Sequence, residues 1–137
     1  MLKTIPTKKD QILSELSNYI GTESYNIFNY FLRDWVLTDG ALFLAERCGA
    51  FWLMEEIGFA AKTYPSLVNE PFVCWTLKVE DHKAELTAED GNEKVLFHKK
   101  IDFTDFPLDQ SILWVERGAW GPEDRQNLFV IMLPSEH

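Results

Sequence analysis

The chain has few of the residues that mark disulfide scaffolds, metal centres and membrane spans. It contains two cysteines and three histidines among 137 residues, and it has no uninterrupted apolar run of about 18 residues. Six prolines and seven glycines are too few for a collagen-like or low-complexity chain. With 46% hydrophobic and 14% aromatic residues, the class that remains is a soluble domain with a packed core.

Positive charge is also scarce. Thirteen basic residues against 22 acidic ones give a net charge of −9. Proteins bind nucleic acid largely by neutralising phosphates with a basic stripe, so direct nucleic-acid binding is disfavoured. The first residues show no apolar segment followed by a small-residue cleavage site. We therefore expect a cytoplasmic protein with no membrane partner.

Residues 1–67 predict a mainly helical half. Thr7 begins a pattern that resembles a capping box, and apolar residues then recur at helical spacing until Gly21. A helix is predicted over Thr38–Cys48, and a second helical pattern follows at once, so the two should form a hairpin. Residues 23–37 are dense in aromatics and match helix and strand templates equally, and we interpret them as irregular or a short helix.

Residues 72–133 predict an antiparallel sheet. The Asp90-Gly91-Asn92 sequence offers the positive-φ residues of a tight hairpin. The last predicted strand is apolar on both faces, which fits either a central strand or half of a subunit interface. The five candidate strands cover residues 72–79, 84–89, 94–101, 111–116 and 128–133.

The predicted fold class is α+β, in a single domain of residues 1–137. Three or four N-terminal helices should pack on one face of a meandering antiparallel sheet of four or five strands.

Several short motifs, in order along the chain, resemble a small uncharacterised family of bacterial and phage-borne domains of unknown function. This resemblance implies no activity, cofactor or catalytic residue. The motifs are Thr38-Asp39-Gly40 with Leu44-Ala45-Glu46, then Gly49-Ala50-Phe51-Trp52-Leu53, then Asp90-Gly91-Asn92 with Thr104-Asp105-Phe106-Pro107-Leu108, and finally Leu133-Pro134-Ser135-Glu136.

Catalytic candidates are few. Asp39 and Glu46, seven positions apart, could face one cavity and act as general acid and base or hold a divalent ion. His82 and His98 are the histidines that could join them. The cysteines have apolar neighbours, which predicts inert thiols, and no metal-binding spacing is present. We therefore expect no structural metal and no cofactor.

A loop tryptophan gives the best binding candidate. Trp120 follows Arg117 between two predicted strands, and aromatic and arginine side chains are frequent interface anchors. Trp52 is a further aromatic candidate. The leading hypothesis is a non-enzymatic binding or accessory protein. It should self-associate through aromatic residues and the apolar last strand. The Trp120 loop would be the recognition element for a protein partner or a second copy.

Two alternatives stay open. One is a small hydrolase or nuclease-like enzyme that uses Asp39, Glu46 and a histidine with a divalent ion. The other is an acidic mimic of nucleic acid, which requires a continuous stripe of carboxylates.

Overall fold

A computed structural model describes residues 7–118 and 128–137 of the chain. Within them, four α-helices and seven β-strands form an α+β fold with one mixed sheet, whose strand order is β1-β2-β7-β6-β3-β4-β5. The elements are α1 (Lys8–Leu16), β1 (Tyr25–Ile27), β2 (Trp35–Thr38), α2 (Asp39–Arg47), α3 (Phe51–Thr63), α4 (Pro65–Val68), β3 (Phe72–Glu80), β4 (Lys83–Glu89), β5 (Val95–Ile101), β6 (Gln110–Gly118), β7 (Leu128–Met132) and a 3₁₀ turn (Pro134–Glu136).

The four helices of the described residues share one core with the sheet. Each contributes buried residues to a core that also takes the inward side chains of β2, β3, β4, β6 and β7. On the opposite face, Val36, Val130 and Met132 form a smaller buried cluster with Leu128.

The predicted fold was wrong in three respects. Among the described residues the sheet has seven strands instead of four or five, and it is not purely antiparallel, because β2 and β7 pair in parallel. The helices do not form an uninterrupted N-terminal set, because β1 and β2 lie between α1 and α2. The two unpredicted strands, β1 and β2, lie in the segment interpreted as irregular. All four residues of β2 are buried, so it lacks the alternation that identifies a half-exposed strand.

The last strand, β7, is an interior strand of the sheet. β7 pairs with β2 on one edge and with β6 on the other. Ile131 enters the helix-side core, and its neighbour Val130 enters the cluster on the opposite face. The sequence left two explanations for this apolar strand, a central strand or half of a subunit interface. The structure places β7 as a central strand with buried residues on both faces.

Local signals located the helix ends. The Thr38 hydroxyl caps α2 by accepting a hydrogen bond from the Ala41 N–H, and Gly49 ends the helix with φ +60°. The hairpin between β4 and β5 contains Gly91 at φ +90°. The first helix is shorter than predicted, since α1 ends at Leu16, before Gly21.

Candidate functional site

The start of α2 is held by three separate segments of the chain. The first N–H groups of a helix have no partner inside it. Here the Asp39 N–H donates to the Thr22 hydroxyl at 2.8 Å, the Gly40 N–H donates to Glu136 at 2.9 Å, and the Ala41 N–H donates to the Thr38 hydroxyl at 3.3 Å. Side chains therefore satisfy all three donors.

Glu136 brings the C-terminal residues to this helix end. Its carboxylate accepts from the Thr38 hydroxyl at 2.6 Å, from the Gly40 N–H at 2.9 Å and from the Leu133 N–H at 3.0 Å. A Cβ added at Gly40 would lie 2.5 Å from the Glu136 Oε1, so a larger residue would force the Glu136 side chain to move. We call this arrangement the C-terminal clasp, and its residues come from the first and last motifs of the family resemblance.

Asp39, the first catalytic candidate, binds its own chain. Its carboxylate accepts hydrogen bonds from the Ser24 hydroxyl and from the Glu23 N–H, the latter at 2.9 Å. The hydrogen bond from Ser24, followed by that from Glu23, lowers the pKa of Asp39 below its ordinary value. Burial raises the pKa by a smaller amount. Asp39 is thus arranged as a fixed acceptor that orders residues 22–24.

The lowered pKa of Asp39 predicts a specific loss of stability in acid. Because the folded-state pKa lies below the ordinary value of 3.8, the stability that the Asp39 carboxylate contributes is present above pH 3.8 and is lost as the pH falls through the folded-state pKa. We expect Asp39→Asn to unfold more easily than wild type near pH 7, with the difference shrinking below about pH 4. Urea unfolding across this pH range measures it. Asp105→Asn, at an exposed position, is the control, and a difference independent of pH would contradict the assignment.

The other catalytic candidates do not converge on Asp39. Glu46 is exposed and lies about 10 Å farther along the helix axis. His82 lies in the turn between β3 and β4, where its ring stacks on Phe103 and its Nδ1 is 3.3 Å from a backbone carbonyl. His98 is on β5, five strand spacings or about 24 Å across the sheet from β2.

The part of the chain that the structure describes contains no cluster of potential metal ligands. There, no three or more His, Cys, Asp or Glu side chains are grouped so as to hold an ion. Carboxylates are instead interspersed with cations, as in the pairs Lys99 with Glu56 at 2.6 Å and Arg47 with Glu15 at 3.6 Å. This mixture gives no support to a continuous acidic stripe. Among these residues, no helix has the length and apolarity needed to cross a membrane.

Both cysteines are free, and both have thiols that resist ionisation. Burial raises the pKa of Cys48 to about 11, and burial is also the main cause of a raised pKa at Cys74. A nucleophilic cysteine needs the thiolate.

Cys48 should therefore be chemically inert in the folded protein. At about pH 8, a thiol with a pKa near 11 is ionised in only about one molecule in a thousand. We expect iodoacetamide to leave Cys48 unmodified in the native protein and to alkylate it in urea, as followed by mass spectrometry. Rapid native modification would show that the thiol is activated.

The structure describes two of the three predicted binding residues, Arg117 and Trp52. Arg117 is exposed, and its guanidinium lies 5.3 Å above the ring of Phe129, which in turn stacks on Trp35 at 4.6 Å. Trp120 lies outside the described residues. Trp52, on α3, is half-buried and packs against the helix-side core.

A second aromatic site, which the sequence did not single out, lies between β1 and β2. Tyr30 and Phe31 are 72% and 75% exposed, and their rings meet edge to face with centroids 6.1 Å apart. We call residues 28–34 the aromatic loop. Two neighbouring rings this exposed are costly unless something covers them.

Contacts with α3 hold the aromatic loop in place. Leu32 is fully buried, and a Cβ at Gly58 of α3 would lie 2.6 Å from its Cδ1, so the leucine fills the space a side chain would take. Asn29 donates to Glu55 at 3.2 Å and accepts from the Phe31 N–H at 2.8 Å. The backbone around the two rings is therefore positioned before any partner arrives.

Two cations flank the exposed rings. The Arg33 guanidinium lies 4.0 Å from the centre of the Tyr30 ring, and Lys62 of α3 reaches the Phe31 carbonyl at 3.5 Å. Phe59, 41% exposed, lies one helical turn before Lys62 on the same stripe of α3. We call Tyr30, Phe31 and Phe59 the aromatic patch.

Residues 10–137 match the family of unknown function DUF6876. The chain belongs to the DUF6876 family. No curated protein and no solved structure gives a significant match. Membership confirms the resemblance to an uncharacterised family and covers nearly the whole chain.

In this DUF6876 domain, the motifs behind the resemblance serve the fold. The first and last of them form the C-terminal clasp. Thr104 is buried and accepts a hydrogen bond from the Phe106 N–H at 3.1 Å, and Phe106 and Leu108 enter the core. The exposed aromatic patch lies outside these motifs. The only sequence signal for it was the aromatic density of residues 23–37.

Proposed function

We propose that this DUF6876 domain is a non-enzymatic cytoplasmic binding domain that docks a partner protein through the aromatic patch. One observation carries the proposal: Tyr30 and Phe31 are held in water on a backbone that Leu32 anchors in the core. Aromatic and arginine side chains dominate the binding energy of protein interfaces. A loop fixed before binding also loses less conformational freedom when it binds.

The enzymatic alternative has less support. Its four candidate residues do not share a reacting position, and Asp39 is occupied by the 22–24 segment. General acid–base catalysis needs groups within hydrogen-bond reach of one substrate atom. Self-association through the last strand also has less support, because β7 is paired on both edges and buried on both faces.

A displayed library of random 12-residue peptides tests the proposal. The library is selected against the wild-type domain, and the selected peptides are then measured on Tyr30→Ser/Phe31→Ser. We expect the double substitution to weaken binding about tenfold or more. Because both side chains are mostly exposed, the variant should fold, which circular dichroism checks.

Phe103→Ser is the matched control. Phe103 is 71% exposed but follows β5, at the opposite side of the sheet from the aromatic loop. Its substitution should leave binding unchanged. Failure to select any peptide, or peptides that bind the double variant as well as wild type, would overturn the proposal.

A further inference from the structure

We infer that the partner of the aromatic patch is a protein segment that presents an apolar or aromatic side chain beside carboxylates. This inference rests on the proposed function and adds the chemistry of the ligand. It follows from the charges around the exposed rings.

Neither cation at the patch forms a salt bridge with a residue that the structure describes. Within the described residues, the ion pairs involve other cations, and neither Arg33 nor Lys62 lies within ion-pair distance of a carboxylate. Their contacts are the Tyr30 ring and the Phe31 carbonyl. Two carboxylates belong to the same region: Asp34 follows Arg33 in the loop and is exposed, and Glu55 accepts a hydrogen bond from Asn29.

Two cations without a salt bridge among the described residues are notable on a protein with a net charge of −9. At physiological ionic strength, charges act over about 8 Å, so a short segment docked on the patch responds to the charges of the aromatic loop and α3 more than to acidic residues elsewhere on the protein. Carboxylates in that segment would complement Arg33 and Lys62, while its apolar side chain would cover Tyr30 and Phe31. Such complementarity sets the specificity and association rate of interfaces.

The same charges disfavour two other occupants. Two copies joined patch to patch would bring Arg33 and Lys62 of both copies into one interface, where like charges repel. A single-stranded nucleic acid could stack on the rings, but its continuous phosphates would extend beyond two cations onto an acidic surface.

The test uses a peptide selected on the wild-type domain and two synthetic versions in which its acidic residues are replaced by Gln or by Lys. Affinities are measured for wild type, for Arg33→Glu/Lys62→Glu and for Lys83→Glu/Lys94→Glu, a control with the same charge change at exposed positions. We expect the selected peptides to carry acidic residues and to lose about tenfold in affinity for the Arg33→Glu/Lys62→Glu variant, with little loss in the control. The Lys version should bind the Arg33→Glu/Lys62→Glu variant better than wild type.

Other outcomes separate the two proposals. Selected peptides that need Tyr30 and Phe31 but are neutral or basic would overturn the acidic partner and leave the docking function standing. Tighter binding of a twelve-residue oligo-dT than of any peptide would replace the protein partner by nucleic acid. A wild-type dimer in sedimentation analysis that Tyr30→Ser/Phe31→Ser converts to a monomer would identify a second copy as the occupant.

Discussion

Leu32→Ala should lower the free energy of unfolding by about 2–5 kcal/mol, the range for a fully buried leucine truncated to alanine. The cavity would open between the aromatic loop and α3, where Leu32 occupies the space beside Gly58. Since Leu32 holds the backbone between the exposed rings and the core, peptide binding at the patch should weaken as well. Denaturant unfolding and peptide titration measure the two effects.

The same substitution at an exposed leucine is the control. Leu13 is 46% exposed on α1, and Leu13→Ala should change stability by about 0.5 kcal/mol or less without affecting peptide binding. If Leu32→Ala cost no more than Leu13→Ala, Leu32 would not be the anchor of the aromatic loop.

Glu136→Ala should lower the free energy of unfolding by about 2–4 kcal/mol, because buried donors that lose their acceptor cost about 1–3 kcal/mol each. Gly40 is buried, and its N–H has Glu136 as its acceptor. The Thr38 hydroxyl has only a longer contact in reserve, 3.4 Å to the Ile131 carbonyl. Urea unfolding measures the loss.

A double-mutant cycle tests whether this loss comes from the C-terminal clasp. Gly40→Ala places a Cβ 2.5 Å from the Glu136 Oε1 and 2.7 Å from the Leu133 Cδ1, so it should also destabilise the fold. The double variant should lose less stability than the sum of the single losses, because both act at one contact. Glu46→Ala, at an exposed position of the same helix, should be near neutral. Additive losses would contradict a shared contact.

The parts of the fold that the sequence predicted depend on local chemistry. The hydroxyl of Thr38 and the positive φ of Gly49 are short-range signals, and they marked the ends of α2. The hairpin at Gly91 was predicted for the same reason. These features need no information from distant residues, since caps and turns are satisfied within a few positions.

The missed parts depend on contacts between distant residues. β2 pairs with β7, more than 90 positions later, and neither strand shows the alternation of a half-exposed strand. The hydrogen bond between Thr38 and Glu136 joins residues 98 positions apart, so the role of Glu136 was invisible locally. Asp39 was singled out for catalysis because the sequence could not show that Ser24 would occupy its carboxylate.

The aromatic loop was missed for a different reason. Tyr30, Phe31 and Leu32 are consecutive apolar residues, yet the first two are exposed and the third is fully buried. An irregular loop has no period from which this division can be read. The packing of Leu32 beside Gly58 is what distinguishes this buried residue from the exposed Tyr30 and Phe31.

Titration calorimetry with a selected peptide, repeated at several temperatures, tests most directly whether Tyr30 and Phe31 are the docking surface. Burial of apolar surface gives binding a negative heat-capacity change. We expect such a change for wild type and for Phe103→Ser, and a smaller one with about tenfold weaker affinity for Tyr30→Ser/Phe31→Ser. The same affinity and the same heat-capacity change in all three proteins would show that the partner binds elsewhere.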